Sequence, residues 1–583
     1  MNFYENNIEL LNKKEPHLVE KLKTVSLDKA YSENKEYFSF EERDIKNADL
    51  LVILGFEISS HIENLLKMCP PKTFILIIEK NLSLFKNALY KKDFSYILNS
   101  DKISISVDET PFIATMLRLE KYFSILTFKE MYIIKYPPSI EKYPKYYQEV
   151  EEKLKESLSM AITNVATFMH YSPIWKKNIL TNFIYMINCA GVSILSNKFK
   201  NIPTIIVCAG PSLDKNIKHL KKVNNRALII CTDTALKTML KNNILPHMVI
   251  TVDGTMKNYC KCYQNLNIPK NIYLVSDLIV YPKTFSKFTL SNIFILNDGH
   301  PLVQWLGRFL GFDSYIPRGG SVSTAAFNLA LKLGSDPIIF IGQDLSFPEG
   351  KLYSKEVLSK DRNHLKNELI NFSPQLIEVS DIFGRKVVTS RALYGFIKWF
   401  ENRASHFKVN CINATEGGAL MQGFSNLTLN ETIKNYLHKP FPIQDILLNH
   451  ASNFQNPNTH SFLDKTTQLL EEYQMIFNLC IQVLNIIKRF SLNELNQFYI
   501  NNLFMQLGTI KKDILSLENF TFCERLQIEP LIYELSNQKP DTSLKEKLRI
   551  LNKIFLKLRN MSNYTISMLS ILKAKLEDKN AQS

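Results

Sequence analysis

Two short turns rich in glycine and serine are the parts of this chain best suited to holding a phosphate. Small or hydroxylated residues stand directly before a helix-like stretch in both turns: Gly210, Pro211 and Ser212 in the first, and Gly319, Gly320, Ser321 and Ser323 in the second. Glycine permits a sharp turn, proline suits a first helical position, and serine can cap a helix whose N-terminus attracts an anion. One such turn is also typical of a well-capped helix without a ligand. The pair predicts a phosphate site better than either turn alone.

Acidic residues follow the predicted strands between and beside these turns. Four successive strands run into an aspartate each, namely Asp233, Asp253, Asp277 and Asp298, and the strand at 337–341 runs into Gly342, Gln343 and Asp344. Open α/β sheets bind ligands in the crevice at the carboxyl ends of their strands. We therefore expect these acids to converge on one crevice, although a run of solvated loop starts would give the same pattern.

The elements that must position these residues alternate between strands and helices over the middle of the chain. This alternation predicts an α/β fold with a Rossmann-like central domain and a smaller N-terminal α/β domain. Leu/Ile periodicity at 461–488, 492–517 and 543–577 predicts a C-terminal helical bundle. The predicted divisions are an N-terminal α/β domain (1–145), a helical connector (146–200), the central domain (201–427) and a C-terminal helical domain (428–583).

The N-terminal domain contains a separate outline of a cofactor site. A predicted strand at 50–54 runs into Gly55, and Glu79 ends the next strand. This arrangement is typical of dinucleotide or S-adenosylmethionine sites. The turn lacks the repeated glycines that let a ligand approach the backbone. We interpret this region as a structural domain that retains the topology, and a methyltransferase is the alternative.

Composition and charge narrow the classes of partner and compartment. The chain has 583 residues and a formal net charge of +15, from 71 basic and 56 acidic side chains. This excess favours nucleotides or phosphosugars as ligands, or reflects a lysine-rich surface, and no nucleic-acid-binding motif accompanies it. The nine cysteines are scattered without a C-x-x-C motif, which is typical of a reducing compartment. With neither a signal peptide nor a membrane-length apolar run, we expect a cytoplasmic protein with no stable membrane insertion.

The motifs of the middle region resemble those of the motility accessory factor (Maf) family of bacterial flagellin glycosyltransferases. The matching segments are Cys208–Asp214, Asp233 with Leu240 and Pro246, Val252–Asp253, Gly319–Ser323, Gly342–Leu345 and Asn413–Ala419. The central domain is also similar to bacterial sialyltransferases. The resemblance implies transfer of a pseudaminic- or legionaminic-type nonulosonic acid from its CMP derivative to Ser or Thr of flagellin. It implies no other cofactor.

The same resemblance implies roles for individual residues. Those implied to bind the nucleotide sugar are Gly210, Pro211, Ser212, Gly319, Gly320, Ser321, Ser323 and Gly342. Departure of CMP leaves negative charge that amides can stabilise, and no Asp-x-Asp element ends a strand, so we expect no metal. A general base must take the proton of the acceptor hydroxyl. The stretch 384–390 lacks the histidine that sialyltransferases use, which leaves Asp233, Asp253 and Asp344 as candidates, with His300 and His364 behind them.

Three alternatives remain open from the sequence. The basic pair Arg385 and Lys386 can meet a sugar carboxylate or a diphosphate, or face solvent. An archaeal family of 6-hydroxymethylpterin diphosphokinases is similar to the central domain, and such an enzyme would use ATP and magnesium. A non-catalytic factor that binds flagellin through the C-terminal helices is the third alternative.

Overall fold

The computed structural model describes residues 3–27, 42–56, 60–70, 73–111, 113–119, 123, 128, 130–310, 314–317, 319–351, 353–354, 376–452, 460–490, 505 and 543–582. Contacts divide these residues into two compact units. The first takes in the residues up to His170 together with 543–554, and the second takes in Tyr171 to Met505 together with Phe555 onwards. No helix within these ranges has the length and apolar character needed to cross a membrane.

A four-stranded parallel sheet forms the centre of the first unit. Its strands are β1 (Leu50–Leu54), β2 (Phe74–Glu79), β3 (Ile103–Val107) and β4 (Met131–Lys135), in the spatial order β3-β2-β1-β4. Alternate side chains of β1 enter two apolar clusters on opposite faces, so the whole strand is buried. The helices are α1 (Phe3–Lys14), α2 (Pro16–Lys23), α3 (Glu42–Asn47), α4 (Ser60–Met68), α5 (Leu82–Lys91), α6 (Ser95–Leu98) and α7 (Pro137–Lys142).

The second unit is built on a nine-stranded sheet whose neighbouring strands are all parallel. Helix α8 (Pro144–Asn188) enters it after His170. The strands are β5 (Ala190–Gly191), β6 (Thr204–Val207), β7 (Leu228–Thr232), β8 (Met248–Thr251), β9 (Tyr273–Ser276), β10 (Ile293–Ile295), β11 (Ile338–Ile341), β14 (Cys411–Asn413) and β15 (Ser425–Asn426). A separate antiparallel hairpin joins β12 (Leu376–Ser380) to β13 (Lys386–Ser390).

Strand order places a topological switch point beside β6. The order across the sheet is β15-β14-β11-β6-β7-β8-β9-β10-β5. The chain therefore moves from β6 to β10 in one direction and then returns to lay β11 on the other side of β6. Connections leave β6 and β11 toward opposite sides, which opens a crevice between their carboxyl ends.

Helices alternate with the strands of this sheet and continue after them toward the C-terminus. They are α9 (Leu213–Asn216), α10 (Asp233–Lys241), α11 (Met256–Cys262), α12 (Pro301–Leu310), α13 (Val322–Leu333), α14 (Arg391–Phe407), α15 (Leu429–Tyr436), α16 (Ile443–Ser452), α17 (His460–Phe490) and α18 (Leu544–Gln582), whose first residues belong to the first unit. Short 3₁₀ turns, such as Ile217–Lys222 after α9, link several of them.

The predicted α/β class with two parallel sheets and a helical C-terminal region is confirmed. Helix α17 covers the predicted segment 461–488, and α18 covers 544–577 of the segment predicted at 543–577. The predicted helix at 492–517 lies outside the described residues except for Met505, which is helical. The four-part domain division stays a prediction. Ile443 and Leu447 of α16 enter the apolar core of the central sheet, so packing crosses the boundary expected at residue 428.

Candidate functional site

The first glycine turn lies at the switch point, in close contact with the turn that follows β11. The amide of Gly210 donates to the carbonyl of Gly342 at 2.8 Å. A Cβ on Gly210 would stand 2.0 Å from Asp344 Oδ2, and one on Gly342, whose φ is +66°, would stand 2.2 Å from the Cys208 carbonyl oxygen. Both turns therefore require glycine, because their backbones approach too closely for a side chain.

Ser212 is bound by Asp344 across these two turns. The amide and the hydroxyl of Ser212 both donate to Asp344 Oδ2, at 3.2 and 2.7 Å. The expectation that Ser212 caps a helix is wrong: its side chain makes no capping bond, and α9 has only four residues. The donors expected to face a phosphate at this turn are instead used by a carboxylate 132 residues further along the chain.

Burial changes the chemistry of Asp344. Its side chain is almost fully buried, and burial raises its pKa to about 6, although the Ser212 bonds and the charge of Lys215 act in the opposite direction. Its second oxygen, Oδ1, is buried and has no hydrogen-bond partner among the described residues. An unpaired buried acceptor costs free energy, so the ionised form of Asp344 is disfavoured at this position.

The second glycine turn joins the same site through Gln343. Ser321 caps α13 as predicted, in a reciprocal capping box with Thr324. Gly319 and Gly320 before it have φ values of +66° and +94°, which glycine adopts without strain. The side-chain amide of Gln343 donates to Ser323 Oγ at 3.2 Å. The two turns that the sequence paired are therefore linked within one crevice.

A third loop, which the sequence analysis used only for its resemblance, completes the crevice. The Thr415 hydroxyl accepts from the Gln343 amide at 3.2 Å, and the Ala419 amide donates to the Asp344 carbonyl at 2.7 Å. A Cβ on Gly418, whose φ is +78°, would stand 2.3 Å from that carbonyl oxygen. The adjacent glycines of this loop were the signal that it approaches another backbone closely.

The predicted acids at the strand ends differ in burial and in their hydrogen-bond partners. Asp233 is buried, and its oxygens accept from the Thr234 amide and hydroxyl, the Thr251 hydroxyl and the Asn258 amide group at 2.7 to 3.1 Å. Burial raises its pKa despite these bonds. Asp253, at the end of the neighbouring strand, is exposed. Within this pair, Asp233 holds α11 against the sheet through Asn258, and Asp253 Oδ1 accepts from the Thr255 amide at 2.8 Å.

Helix α8 covers the strand ends at which the other acids lie. The Asn178 side chain donates to the carbonyls of Gly254 and Ile279, and that of Asn182 donates to the carbonyls of Leu278 and Val280, at 2.8 to 2.9 Å. Beneath it, buried Asp277 accepts from the amides of Ile279 and Asp298. Asp277 and Asp298 therefore hold the loops after their strands through hydrogen bonds to backbone amides. Two asparagines four residues apart in the helix were the available signal, and no role was predicted for them.

The remaining candidates have structural partners. His300 is buried beside Trp175, its Nδ1 accepts from the Leu302 amide, and burial lowers its pKa to about 3. His364 lies outside the described residues. Within the hairpin, Arg385 forms an ion pair with Asp381 at 2.8 Å, and Lys386 forms one with Glu378 at 3.0 Å. Among the described residues, no three His, Cys, Asp or Glu side chains are grouped to hold a metal ion.

In the first unit, the outline of a cofactor site is filled by the chain itself. Glu79 is buried and accepts hydrogen bonds from the amides of Phe56 and Asn81 and from the hydroxyls of Ser139 and Tyr147. A Cβ on Gly55 would stand 2.7 Å from Tyr136 and 2.8 Å from Ser139. Side chains from α7 and the residue before it therefore occupy the place of a cofactor, which supports the structural interpretation of this domain.

Comparisons of the sequence with known proteins find likenesses over parts of the chain. The profile of the 6-hydroxymethylpterin diphosphokinase MptE-like family matches residues 177–350. An uncharacterized protein of Treponema pallidum (strain Nichols) is 26% identical over 125 residues, which are 21% of this chain and 57% of that protein. The 6-hydroxymethyl-7,8-dihydropterin pyrophosphokinase of Methanocaldococcus jannaschii is 32% identical over 88 residues, 14% of this chain and 36% of that enzyme. The chain thus spans less than two thirds of either relative.

A solved structure matches the whole chain. The Maf glycosyltransferase from Magnetospirillum magneticum AMB-1 superposes with a TM-score of 0.62 at 14% identity and covers 100% of both chains. The resemblance predicted from the motifs is therefore confirmed at the level of the fold: this chain has the Maf glycosyltransferase fold over its whole length, with a region similar to the MptE-like family in its middle.

Proposed function

We propose that this protein is a glycosyltransferase that moves a nonulosonic acid, of the pseudaminic or legionaminic type, from its CMP derivative to Ser or Thr of flagellin. The observation that carries the proposal is the meeting of two glycine turns at the switch point, linked by Gln343 to Ser323 and by Asp344 to Ser212. The whole-chain likeness to a Maf glycosyltransferase supports the same activity. We place the reaction in the cytoplasm.

The donor phosphate belongs at the second turn. Helix α13 has twelve residues, and Gly320, just before its cap, is exposed. Backbone amides and the positive end of this helix stabilise the charge that CMP carries as it leaves, which needs no metal. Helix α9, with four residues, supplies no comparable dipole. The first turn then contacts the nucleoside or the sugar.

Asp253 is the proposed general base. All hydrogen-bonding positions of Asp233 are occupied, and Asp344 is held in the crevice by Ser212. Asp253 is exposed at the neighbouring strand end, where the hydroxyl of a protein acceptor can reach it. Because base catalysis contributes roughly 10²–10⁴-fold, Asp253→Asn should lower the transfer rate by about that factor and leave CMP binding unchanged.

The test is calorimetry of the full chain with CMP, with and without magnesium, and with ATP and magnesium as the comparison. We expect micromolar binding of CMP without metal, weakened about tenfold by Ser323→Ala and unchanged by Ser405→Ala, which alters an exposed helical serine. Transfer is then followed by the mass of flagellin incubated with the CMP-sugar. Binding of CMP without any mass gain would instead favour a non-catalytic flagellin-binding factor.

A 6-hydroxymethylpterin diphosphokinase is the second candidate, because the MptE-like profile matches 177–350 and the Methanocaldococcus enzyme shares 32% identity over its aligned part. Such an enzyme transfers diphosphate from ATP. Binding of ATP with magnesium, together with no binding of CMP, would select this activity and exclude the glycosyltransferase.

A further inference from the structure

The hairpin of β12 and β13 is fixed beside the crevice. The Thr389 hydroxyl donates to the Leu345 carbonyl at 2.7 Å, and the Phe347 amide donates to the Val388 carbonyl at 2.8 Å. The hairpin is therefore bound to the residues that directly follow Asp344. Two side chains on its inner face pack against the apolar core of the central sheet, namely Val379 and Val387.

The register of the hairpin decides which backbone groups of β12 point away from β13. Glu378 lies opposite Val388, whose carbonyl points outward to the Phe347 amide. Opposed residues of an antiparallel pair direct their amides and carbonyls either toward each other or both outward, in alternation along the strands. The backbone groups of Glu378 therefore point outward, and so do those of Leu376, two residues earlier. These outward amides and carbonyls of Leu376 and Glu378 are called the β12 edge below.

A short part of the third crevice loop already pairs with β12 just beyond this edge. The Leu420 amide donates to the Ser380 carbonyl at 2.9 Å, in an antiparallel arrangement. The chain then leaves β12, because the Gln422 amide donates to the Glu401 side chain at 2.8 Å instead. Within the part of the chain that the structure describes, the amides and carbonyls of the β12 edge have no partner. The edge is therefore open from the point at which Leu420 ends the pairing.

The exposed face of the hairpin beside this edge is apolar and carries no net charge. Leu376 and Val388 are exposed there, and Glu378 forms an ion pair with Lys386 at 3.0 Å. A strand edge with unpaired backbone groups can receive an extended peptide as an additional strand. Neutral side chains of such a peptide fit this face, because its two opposite charges already pair with each other.

The size of the β12 edge favours a substrate over a second copy of the chain. Leu376 and Glu378 each offer one amide and one carbonyl. A stable interface between proteins buries about 800 Å² on each partner, far more than two residues of one strand provide. So small a contact is suited to a peptide that binds and then leaves.

We propose that the β12 edge docks the protein acceptor, an extended and neutral segment of which adds to β12 as a further strand. The backbone of this segment exchanges hydrogen bonds with Leu376 and Glu378, and its alternate side chains cover Leu376 and Val388. An antiparallel segment continues the line of Leu420, so its end next to Leu420 lies nearest to the crevice. This inference rests on the proposed function, since it names the surface that binds flagellin.

Proline substitutions test the edge because they remove its amides and retain the hydrogen bonds between β12 and β13. Glu378→Pro and Leu376→Pro each delete one outward donor, and proline is tolerated on an edge strand where its nitrogen faces away from the neighbouring strand. The matched controls are Glu378→Ala and Leu376→Ala, which remove the same side chains and retain the amides. Melting temperatures verify that all four variants fold.

The readouts are the affinity of the full chain for purified flagellin, measured by calorimetry, and the KM and kcat of sugar transfer. We expect each proline variant to weaken flagellin binding and to raise the KM for flagellin by about tenfold, the factor that one lost hydrogen bond gives. The kcat and the affinity for CMP should not change, and both alanine controls should behave like the wild type. Hydrogen exchange of the wild type needs no variant, and flagellin should slow the exchange of the β12 amides.

Three results would overturn the docking edge while the wild type still transfers sugar, which leaves the proposed function standing. They are wild-type flagellin binding by both proline variants, equal losses in the alanine controls, and unchanged exchange of the β12 amides. A wild-type dimer that Glu378→Pro dissociates would overturn it in favour of pairing between two copies. Flagellin binding that depends on the edge, without any transfer, would refute the proposed function alone. A wild type that neither binds nor modifies flagellin overturns both.

Discussion

Replacing Asp344 with Asn should remove a pH dependence of stability whose sign is fixed by burial. Burial raises the pKa of Asp344 from 3.8 to about 6. The folded state therefore binds this proton more tightly than the unfolded state, and the stability that the proton provides is lost as the pH rises through about 6. An Asn side chain retains an acceptor for the two Ser212 bonds and does not titrate.

The magnitude follows from the two pKa values. The interval from 3.8 to about 6 corresponds to about 3 kcal/mol of unfolding free energy over the full titration. The linkage relation assigns about 1.4 kcal/mol of this to the interval from about pH 5 to about pH 8. The stability of Asp344→Asn relative to the wild type should rise by that amount across this interval. At roughly 2–4 °C per kcal/mol, the melting temperatures should diverge by about 3–6 °C.

Thermal melting of both proteins in matched buffers from about pH 5 to about pH 8 is the assay, since other titrating groups cancel in the difference between them. Asp253→Asn serves as the control for the loss of one negative charge on an exposed side chain. A difference in melting temperature that stays constant over this range would refute the raised pKa, and with it the argument that Asp344 is a desolvated carboxylate.

Three further changes probe the surrounding structure. Gly210→Ala should prevent formation of the crevice and lower the melting temperature, because its Cβ would meet Asp344 Oδ2 at 2.0 Å. Burial lowers the pKa of His247 to about 4, so the folded state resists protonation of this side chain. Acidification from about pH 8 to about pH 5 should therefore lower the unfolding free energy of the wild type by about 2 kcal/mol more than that of His247→Asn, as measured by melting at these two pH values. Asn182→Leu leaves the carbonyls of Leu278 and Val280 without this donor and should lower the free energy of denaturant unfolding by roughly 2–4 kcal/mol. An unchanged unfolding midpoint would contradict a stabilising role of these two hydrogen bonds.

Local sequence patterns predicted the elements that carry the site. Buried parallel strands read as continuous apolar runs, such as β6 and β11, because both faces of the sheet are covered. The capping box of Ser321 is also local, since cap and partner are three residues apart. The glycines at 210 and 342 marked positions where a turn must be sharp. They did not reveal that the two turns contact each other.

The sequence did not predict which side chains would form ion pairs or hydrogen bonds with each other in the folded chain. Arg385 and Lys386 looked available for a ligand, yet the hairpin supplies a carboxylate for each. Asp277 and Asp298 follow strands as Asp233 does, but α8 lies over their loops. Which side chain meets which depends on strand order and on helix placement, neither of which leaves a periodic signal in the sequence.

The sequence by itself determined the α/β class, the two glycine turns and the helical character of the C-terminal region, because periodicity and turn chemistry act over a few residues. Only the tertiary structure decided that Ser212 donates to Asp344 and that Gln343 joins the second turn. The bond between Ser212 and Asp344 joins residues 132 positions apart, whereas Gln343 and Ser323 are 20 positions apart. The return of the chain from β10 to β11 brings the segments that follow β6 and β11 together.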